Sequence, residues 1–171
     1  MFELQPHLYG VLVELRPLRR EDWANVFAAA SDPLIWEQHP SSDRYKEEVF
    51  RGYFEGGLES GGAFSVVDRE TGEVIGCTRF CNHVAAASEI EIGYTFLVRS
   101  RWGGRYNGEM KRLMLDHAFR FVDNVVFTIG PENWRSRRAV EKIGGDFLRS
   151  IDTPGNQRVV YVVRRAVATV V

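Results

Sequence analysis

Between Glu89 and Glu109 the chain gathers the residue types that hold phosphate. An alternating apolar stretch ends near Leu97 or Val98, the run Arg99-Ser-Arg-Trp-Gly-Gly-Arg follows, and a helical pattern starts at about Tyr106. A strand, a glycine-bearing loop and a helix N-terminus bring backbone N–H groups together where the helix dipole favours negative charge. Arg99, Arg101 and Arg105 add formal positive charge to the same loop. The spacing is not that of a P-loop, because no Gly-Lys-Ser/Thr follows, nor that of the three-glycine dinucleotide fingerprint. Just upstream, alternation places Glu89, Glu91, Gly93 and Thr95 on one face of a strand. Two carboxylates so spaced repel each other's negative charge, which suits one of them to accept a proton near neutral pH. Downstream, Ser136 is the one hydroxyl on the inward stripe of Ala139, Val140 and Ile143. It can give a proton to a ligand or bond back to its own helix. Asn133 stands where an N-cap of that helix belongs.

These groups need a scaffold, and the hydrophobic pattern predicts one. Residues 11–18 alternate as a strand, and 20–30 read as a helix ended by Ser31-Asp32-Pro33. Residues 44–59 repeat apolar side chains at helical spacing up to Ser60-Gly61-Gly62. A hairpin over 63–68 and 74–80 follows, then a long strand over 89–98. The strongest helix spans 106–122, with Met110, Leu113, Met114, His117, Ala118 and Phe121 on one stripe. A strand at 125–129, a helix at 134–143 and two strands about Pro154-Gly155-Asn156 complete the order. This is an α/β (α+β) arrangement, a mixed sheet with helices on its faces. No repeat or linker divides it, so residues 1–171 are expected to form a single domain. His117 lies on an apolar stripe and is expected to be a core histidine, and the tail at 166–171 a frayed strand end.

Composition removes several classes of function. Apolar and aromatic contents of 44% and 12% belong to a globular chain rather than a disordered one. No apolar run is long enough to span a bilayer, and the first residues lack a signal-peptide profile, so a cytoplasmic protein without membrane attachment is expected. Cys77 and Cys81 have only His83 near them, so they are expected to be reduced thiols and no metal site is expected. The net charge of −1 argues against a nucleic-acid partner. Its distribution is uneven: residues 1–98 carry a net −8 and residues 99–171 a net +7. That split suits an anionic ligand on the C-terminal half and a cationic one on the N-terminal half.

The run Trp102-Gly-Gly-Arg-Tyr-Asn-Gly-Glu-Met resembles the pyrophosphate loop of the GNAT superfamily of N-acetyltransferases, W-G-x-G-Y-A-x-E-A. With Glu91-Ile-Gly-Tyr before it, the likeness is closest to the branch of ribosomal-protein N-terminal acetyltransferases. A second run, Asn133-Trp-Arg-Ser-Arg-Arg-Ala-Val-Glu-Lys-Ile-Gly-Gly, is similar to the family's N-x-x-S-x-x-A/L-x-E-K-x-G-F. Two motifs in the right order are more specific than either alone, and the order of elements over residues 10–165 is similar too. The resemblance implies a GNAT fold: a largely antiparallel twisted sheet of about six to seven strands with a central splay, flanked by about four helices.

The same resemblance implies acetyl-coenzyme A as donor and an amine as acceptor, either a small molecule or a protein N-terminus. It assigns Phe96, Leu97 and Val98 to the pantetheine arm. Arg101, Trp102, Gly103, Gly104, Arg105, Tyr106, Asn107 and Gly108 fall to the pyrophosphate. Glu91 becomes the base, working through water, and Ser136 the acid, with Asn133 and Ser136 also touching the donor. The acceptor pocket is drawn from Trp36, Glu37, His39, Tyr45, Tyr53 and Glu89, acid and aromatic groups that suit a cation. Arg105 departs from the motif in a glycine slot and Asn107 in an alanine slot. Those departures are the best support for an alternative, a non-catalytic module that binds coenzyme A or a protein partner. The chain is expected to act as a monomer or homodimer.

Overall fold

The computed structural model describes residues 1–166, so all but the first residue of the tail at 166–171 lies outside the described residues. Strands β1 (Leu8–Tyr9) and β2 (Val13–Pro17) precede helices α1 (Trp23–Ala30) and α2 (Glu47–Ser60). Then come β3 (Ala63–Asp68), β4 (Val74–Val84), β5 (Glu89–Leu97), α3 (Arg105–Ala118), β6 (Asn124–Ile129), α4 (Trp134–Glu141), β7 (Asp146–Thr153) and β8 (Asn156–Arg164). The sheet has eight strands in the order β1-β2-β3-β4-β5-β6-β8-β7, one more than the upper expectation. The extra one is β1, whose two residues are too few to show alternation. No helix among the described residues is long and apolar enough to cross a membrane.

Strand alternation divides the core between the two faces of the sheet. Phe64, Ile90, Ile92 and Leu97 pack with Met110, Met114, Leu115 and Ala118 of α3. Ala63, Cys77 and Phe96, from the opposite face, pack with Trp36 and with Val26, Phe50, Tyr53 and Phe54 of α1 and α2. Helix α2 starts with Glu47 and Glu48, which suit the positive end of its dipole, and stops at Gly61 in the left-handed conformation. His117 is a core residue, as expected: it is buried, and its Nε2 lies 2.8 Å from the Glu3 carbonyl oxygen. Glu109, part of the loop motif, also proves structural. Its carboxylate accepts the N–H groups of Val11, Leu12 and Val13 at 2.7–2.9 Å, which fastens α3 to the start of β2. Burial alone would raise its pKa, but these three bonds hold it below the ordinary value.

All neighbouring strands run antiparallel except β5 and β6. That parallel pair is joined only at Glu89–Asn124, Ile90–Val125 and Glu91–Val126, after which the strands part. On its other edge β5 stays tight against β4 despite a bulge, where the register steps from Arg79–Gly93 to Cys77–Phe96 and Tyr94 takes φ +52°. Gly76 permits that closeness: a Cβ there would stand 2.1 Å from the Phe96 carbonyl oxygen. The bulge corrects one expectation. Glu89, Glu91 and Gly93 precede it, but Thr95 is thrown to the α3 face, where its Oγ1 meets Lys111 of α3. Two-residue alternation cannot survive an inserted residue.

Candidate active site

The parting of β5 and β6 opens a cleft of about 750 Å³. Its lining brings together Glu91, Phe96, Leu97, Arg101, Trp102, Gly103, Gly104, Asn107, Asn133, Ser136, Trp36 and His39 from the expected set. Val98, Arg105, Tyr106, Gly108, Glu37, Tyr45, Tyr53 and Glu89 are not part of it.

At one end lies the glycine loop. Gly103 and Gly104 have φ of +102° and +103°, a region that glycine enters without strain. Gly104 is the N-cap of α3, and no side chain among the described residues caps that helix. The first N–H groups of α3, from Arg105 to Asn107, therefore have no partner within the helix and face the loop. Arg105 is already helical, which is how a side chain is accommodated in the motif's glycine slot. It is exposed beside the cleft rather than inside it. The Trp102 indole donates to the Leu97 carbonyl at 2.9 Å, folding the loop back onto β5. Val98 is a correction: its N–H donates to Ile75 and its carbonyl accepts from Arg101, so its main chain is already paired.

Arg101 is tied to the scaffold. It lines the cleft, but its Nε donates to Asp68 Oδ2 at 2.7 Å, and that carboxylate is almost wholly buried. Burial alone would raise the Asp68 pKa, yet the bond from Arg101 and the N–H of Glu70 hold it below the carboxylate range. Arg99 is likewise paired with Asp32. Arg135 donates to Glu37 at 3.0 Å and lies over the Trp102 ring at 4.1 Å. Glu37 is thus part of a brace between α4 and the loop, outside the cleft itself. Asn133 caps α4 as expected, accepting the Ser136 N–H at 3.2 Å. The Ser136 hydroxyl is half-buried in the cleft and, among the described residues, bonds to no helix carbonyl.

The fork between the strands carries the titrating groups. Glu91, the last residue of β5 paired with β6, accepts from Asn82 Nδ2 at 2.7 Å through Oε2, leaving Oε1 toward Gly93. Glu89 pairs opposite Val84 and Asn124 outside the cleft, so only one of the two carboxylates enters it. Lys111 was not anticipated. It is buried, lines the cleft, and donates to Thr95 Oγ1 at 2.6 Å, with Thr78 Oγ1 at 3.4 Å. Burial pushes it down to about 7. The sequence signal was a lysine one position after Met110, on the inward edge of the apolar stripe. Cys81, opposite Glu91, is pushed up to about 12 by burial and then by the Glu91 charge. Cys77 is raised to about 11 by burial, so neither thiol is a ready nucleophile.

At the other end, on the α1/α2 face, lie Trp36, His39 and Arg44, with Arg158 from β8. Trp36 is buried and spends its indole N–H on the Ala30 carbonyl at 2.8 Å. Tyr53 is a core residue whose hydroxyl donates to the Tyr94 carbonyl, and Tyr45 packs at the edge of the same cluster. The expected acidic pocket is absent: among the described residues lining the cleft, Glu91 is the one acid. Chain-wide charge segregation misled because it counts residues without regard to their ion pairs.

The chain matches the model of an acetyltransferase (GNAT) domain over residues 13–146. Its fold is shared with a GCN5-related N-acetyltransferase from Brucella melitensis, at 21% identity, 94% of this chain, 79% of the other and a TM-score of 0.78. The GNAT-family acetyltransferase from Bacillus anthracis aligns at 21% identity over 93% and 98% of the two chains, with a TM-score of 0.77. RimJ of Mycobacterium smegmatis, in complex with CoA-disulfide, aligns at 21% over 89% and 81%, with a TM-score of 0.66. No curated protein matches the sequence.

Proposed function

The chain belongs to the GNAT acetyltransferase family and is an acetyl-CoA-dependent N-acetyltransferase, and within that activity we propose that it transfers acetyl directly to a primary amine of a small molecule or a protein N-terminus. The observation that carries this reading is the fork at Glu91: two parallel strands part there, and both sequence motifs line the space between them. The uncapped start of α3 and the loop at Gly103 and Gly104 fit a pyrophosphate. Phe96 and Leu97 of β5, with Asn133 and Ser136 of α4, fit the pantetheine arm. Acetyl-CoA, when bound, supplies the thioester whose carbonyl is attacked.

The residues then divide the proton work. Glu91, through a water at its free Oε1, takes a proton from the acceptor ammonium. Asn82 holds Oε2 and so fixes the carboxylate's orientation. Ser136 Oγ gives a proton to the departing sulfur. Lys111 is favoured as a second donor by one observation, that its Nζ lies in the same cleft and titrates near neutrality. No covalent enzyme intermediate is required, since the two thiols are held protonated. We take residues 1–171 as one catalytic domain with no nucleic-acid partner.

The test is release of free thiol from acetyl-CoA against a panel of amines. Glu91→Gln should lower kcat about 10²- to 10⁴-fold, the usual worth of a general base, while the Kd for acetyl-CoA holds. Ser136→Ala should lower kcat less, because Lys111 can supply the proton below about pH 7. Unchanged turnover in both variants would refute these roles.

A further inference from the structure

The acceptor end of the cleft collects arginines that form no ion pair with a carboxylate among the described residues. Arg44 is largely buried between the rings of Trp36 and Tyr53, its guanidinium 5.6 and 5.1 Å from their centroids. It has no carboxylate partner among the described residues; its polar contact is with His39, Nη1 to Nε2 at 3.3 Å. That contact has a revealing chemistry. His39 Nδ1 accepts the Ser41 N–H at 2.9 Å, so a neutral ring carries its proton on Nε2. Two donors, the Nε2–H of His39 and the Nη1–H of Arg44, therefore face each other with no acceptor between them. Arg158 lines the same corner and, among the described residues, bonds only to the Gln157 carbonyl, at 2.7 Å. Burial, then Arg44 and Arg158, push His39 down to about 4.

A second cation stands behind the first. Arg79 is buried and shares the Tyr53 ring with Arg44, its guanidinium 5.8 Å from the centroid. It stacks on Tyr94 at 3.9 Å and donates from Nη2 to the Tyr53 carbonyl at 3.2 Å. Its Nε has no hydrogen-bond partner among the described residues. A buried guanidinium without a counter-charge is expensive, and leaving a buried donor unmade adds to the expense. Converging donors that lack an acceptor are satisfied by the oxygens of an anion.

We propose that the acceptor is a zwitterion, an amine that also bears a carboxylate, with its amino group toward Glu91 and its carboxylate in the corner formed by His39, Arg44 and Arg158. This deepens the transferase reading and rests on it. The anionic group belongs to the acceptor rather than to the donor's phosphates because the corner lies on the α1/α2 face, while the glycine loop leads into α3 on the other face. Glu91 shares the acceptor face with Phe96, which packs on Trp36.

The experiment compares free amino acids with their carboxamides as acceptors, using thiol release from the full chain and acetyl-CoA. Losing a charge-assisted hydrogen bond should raise KM roughly ten- to a hundredfold, so acids should surpass amides by that factor. Arg44→Gln should abolish the difference and leave the KM for acetyl-CoA unchanged. Equal rates for acid and amide in the natural protein overturn the proposal, and that comparison needs no variant. A rise in the acetyl-CoA KM of Arg44→Gln, with acceptor preference intact, also overturns it and returns the corner to the donor. Should no amine release thiol, the proposed transfer to a primary amine fails separately. The corner is then read by calorimetric titration with an N-acetylated amino acid. Binding that Arg44→Gln or Arg158→Gln abolishes supports the carboxylate site, and absence of binding to the natural protein refutes it.

Discussion

At the loop end of the cleft Arg99, Arg101 and Arg135 each close on a carboxylate from elsewhere in the chain, Asp32, Asp68 and Glu37. At the acceptor end Arg44, Arg79 and Arg158 close on none among the described residues. The paired arginines are scaffold. They tie the loop to β3, to the segment before α2 and to α4, and the first main-chain N–H groups of α3 are left without a partner within the helix. Of the unpaired ones, Arg79 and the largely buried Arg44 are held at an electrostatic cost, which a ligand that supplies the missing charge would offset. A residue's charge thus says little about its role until its partner is known.

Breaking a pair at the loop end should have the larger effect. Asp68→Asn removes the buried counter-charge of Arg101 and frees the loop from β3. Its melting temperature should fall by several degrees, and its affinity for acetyl-CoA should fall with it. Arg44→Met should do the reverse to stability, since it replaces an unpaired buried cation with an apolar side chain of similar length. Its melting temperature should hold or rise while turnover of the best acceptor drops. Thermal unfolding of both proteins checks the contrast. A loss of stability in Arg44→Met as large as in Asp68→Asn would erase the distinction between the two ends.

Lys111 lies between the ends and resolves the same problem differently, by giving up its proton. Its pKa is about 7 in the folded chain against the ordinary lysine value of 10.5. Between those values the unfolded chain binds a proton that the folded chain does not, so this group makes stability rise with pH across that window. Below about pH 7 both states are protonated and the penalty is complete. Lys111→Met should therefore melt above the natural protein at acidic pH, with the gap closing toward pH 10.5. A gap that stays constant with pH would mean that the lysine is not desolvated. The same variant should steepen the loss of kcat caused by Ser136→Ala below pH 7, if both groups protonate the departing sulfur.

The fold was largely legible because its signals are local. The helical stripes at 44–59 and 106–122, the hairpin about Gly72 and the loop at Trp102 each announce themselves within about a dozen residues. The site was less so, for reasons that are not local. Glu89 and Glu91 look alike in sequence, but the fork between β5 and β6 admits only Glu91. Thr95 was misplaced because the bulge at Tyr94 shifts the alternation by one residue. Lys111 stood one position off an apolar stripe, where a lysine ordinarily lifts its amine into solvent. The roles of Arg101 and Glu37 depend on ion-pair partners dozens of residues away. The acceptor corner depends on one hydrogen bond, from Ser41 to His39, which decides where a ring proton sits.

Arg105 is the sharpest and smallest test of the contrast, because it belongs to the loop end by position but has no carboxylate partner among the described residues. It begins α3, exposed, at the positive end of the helix dipole. If loop-end recognition is the work of the main chain, Arg105 contributes only a screened charge. Arg105→Gln should then weaken acetyl-CoA roughly two- to fivefold, the worth of one exposed charge near a helix end, and added salt should shrink the difference. Calorimetric titration at two ionic strengths reads both effects. A loss well beyond that range, insensitive to salt, would mean that the guanidinium touches phosphate directly. The arginine in the motif's glycine slot would then be a ligand acquired by this chain, and the loop end would hold one unpaired, ligand-seeking cation like those across the cleft.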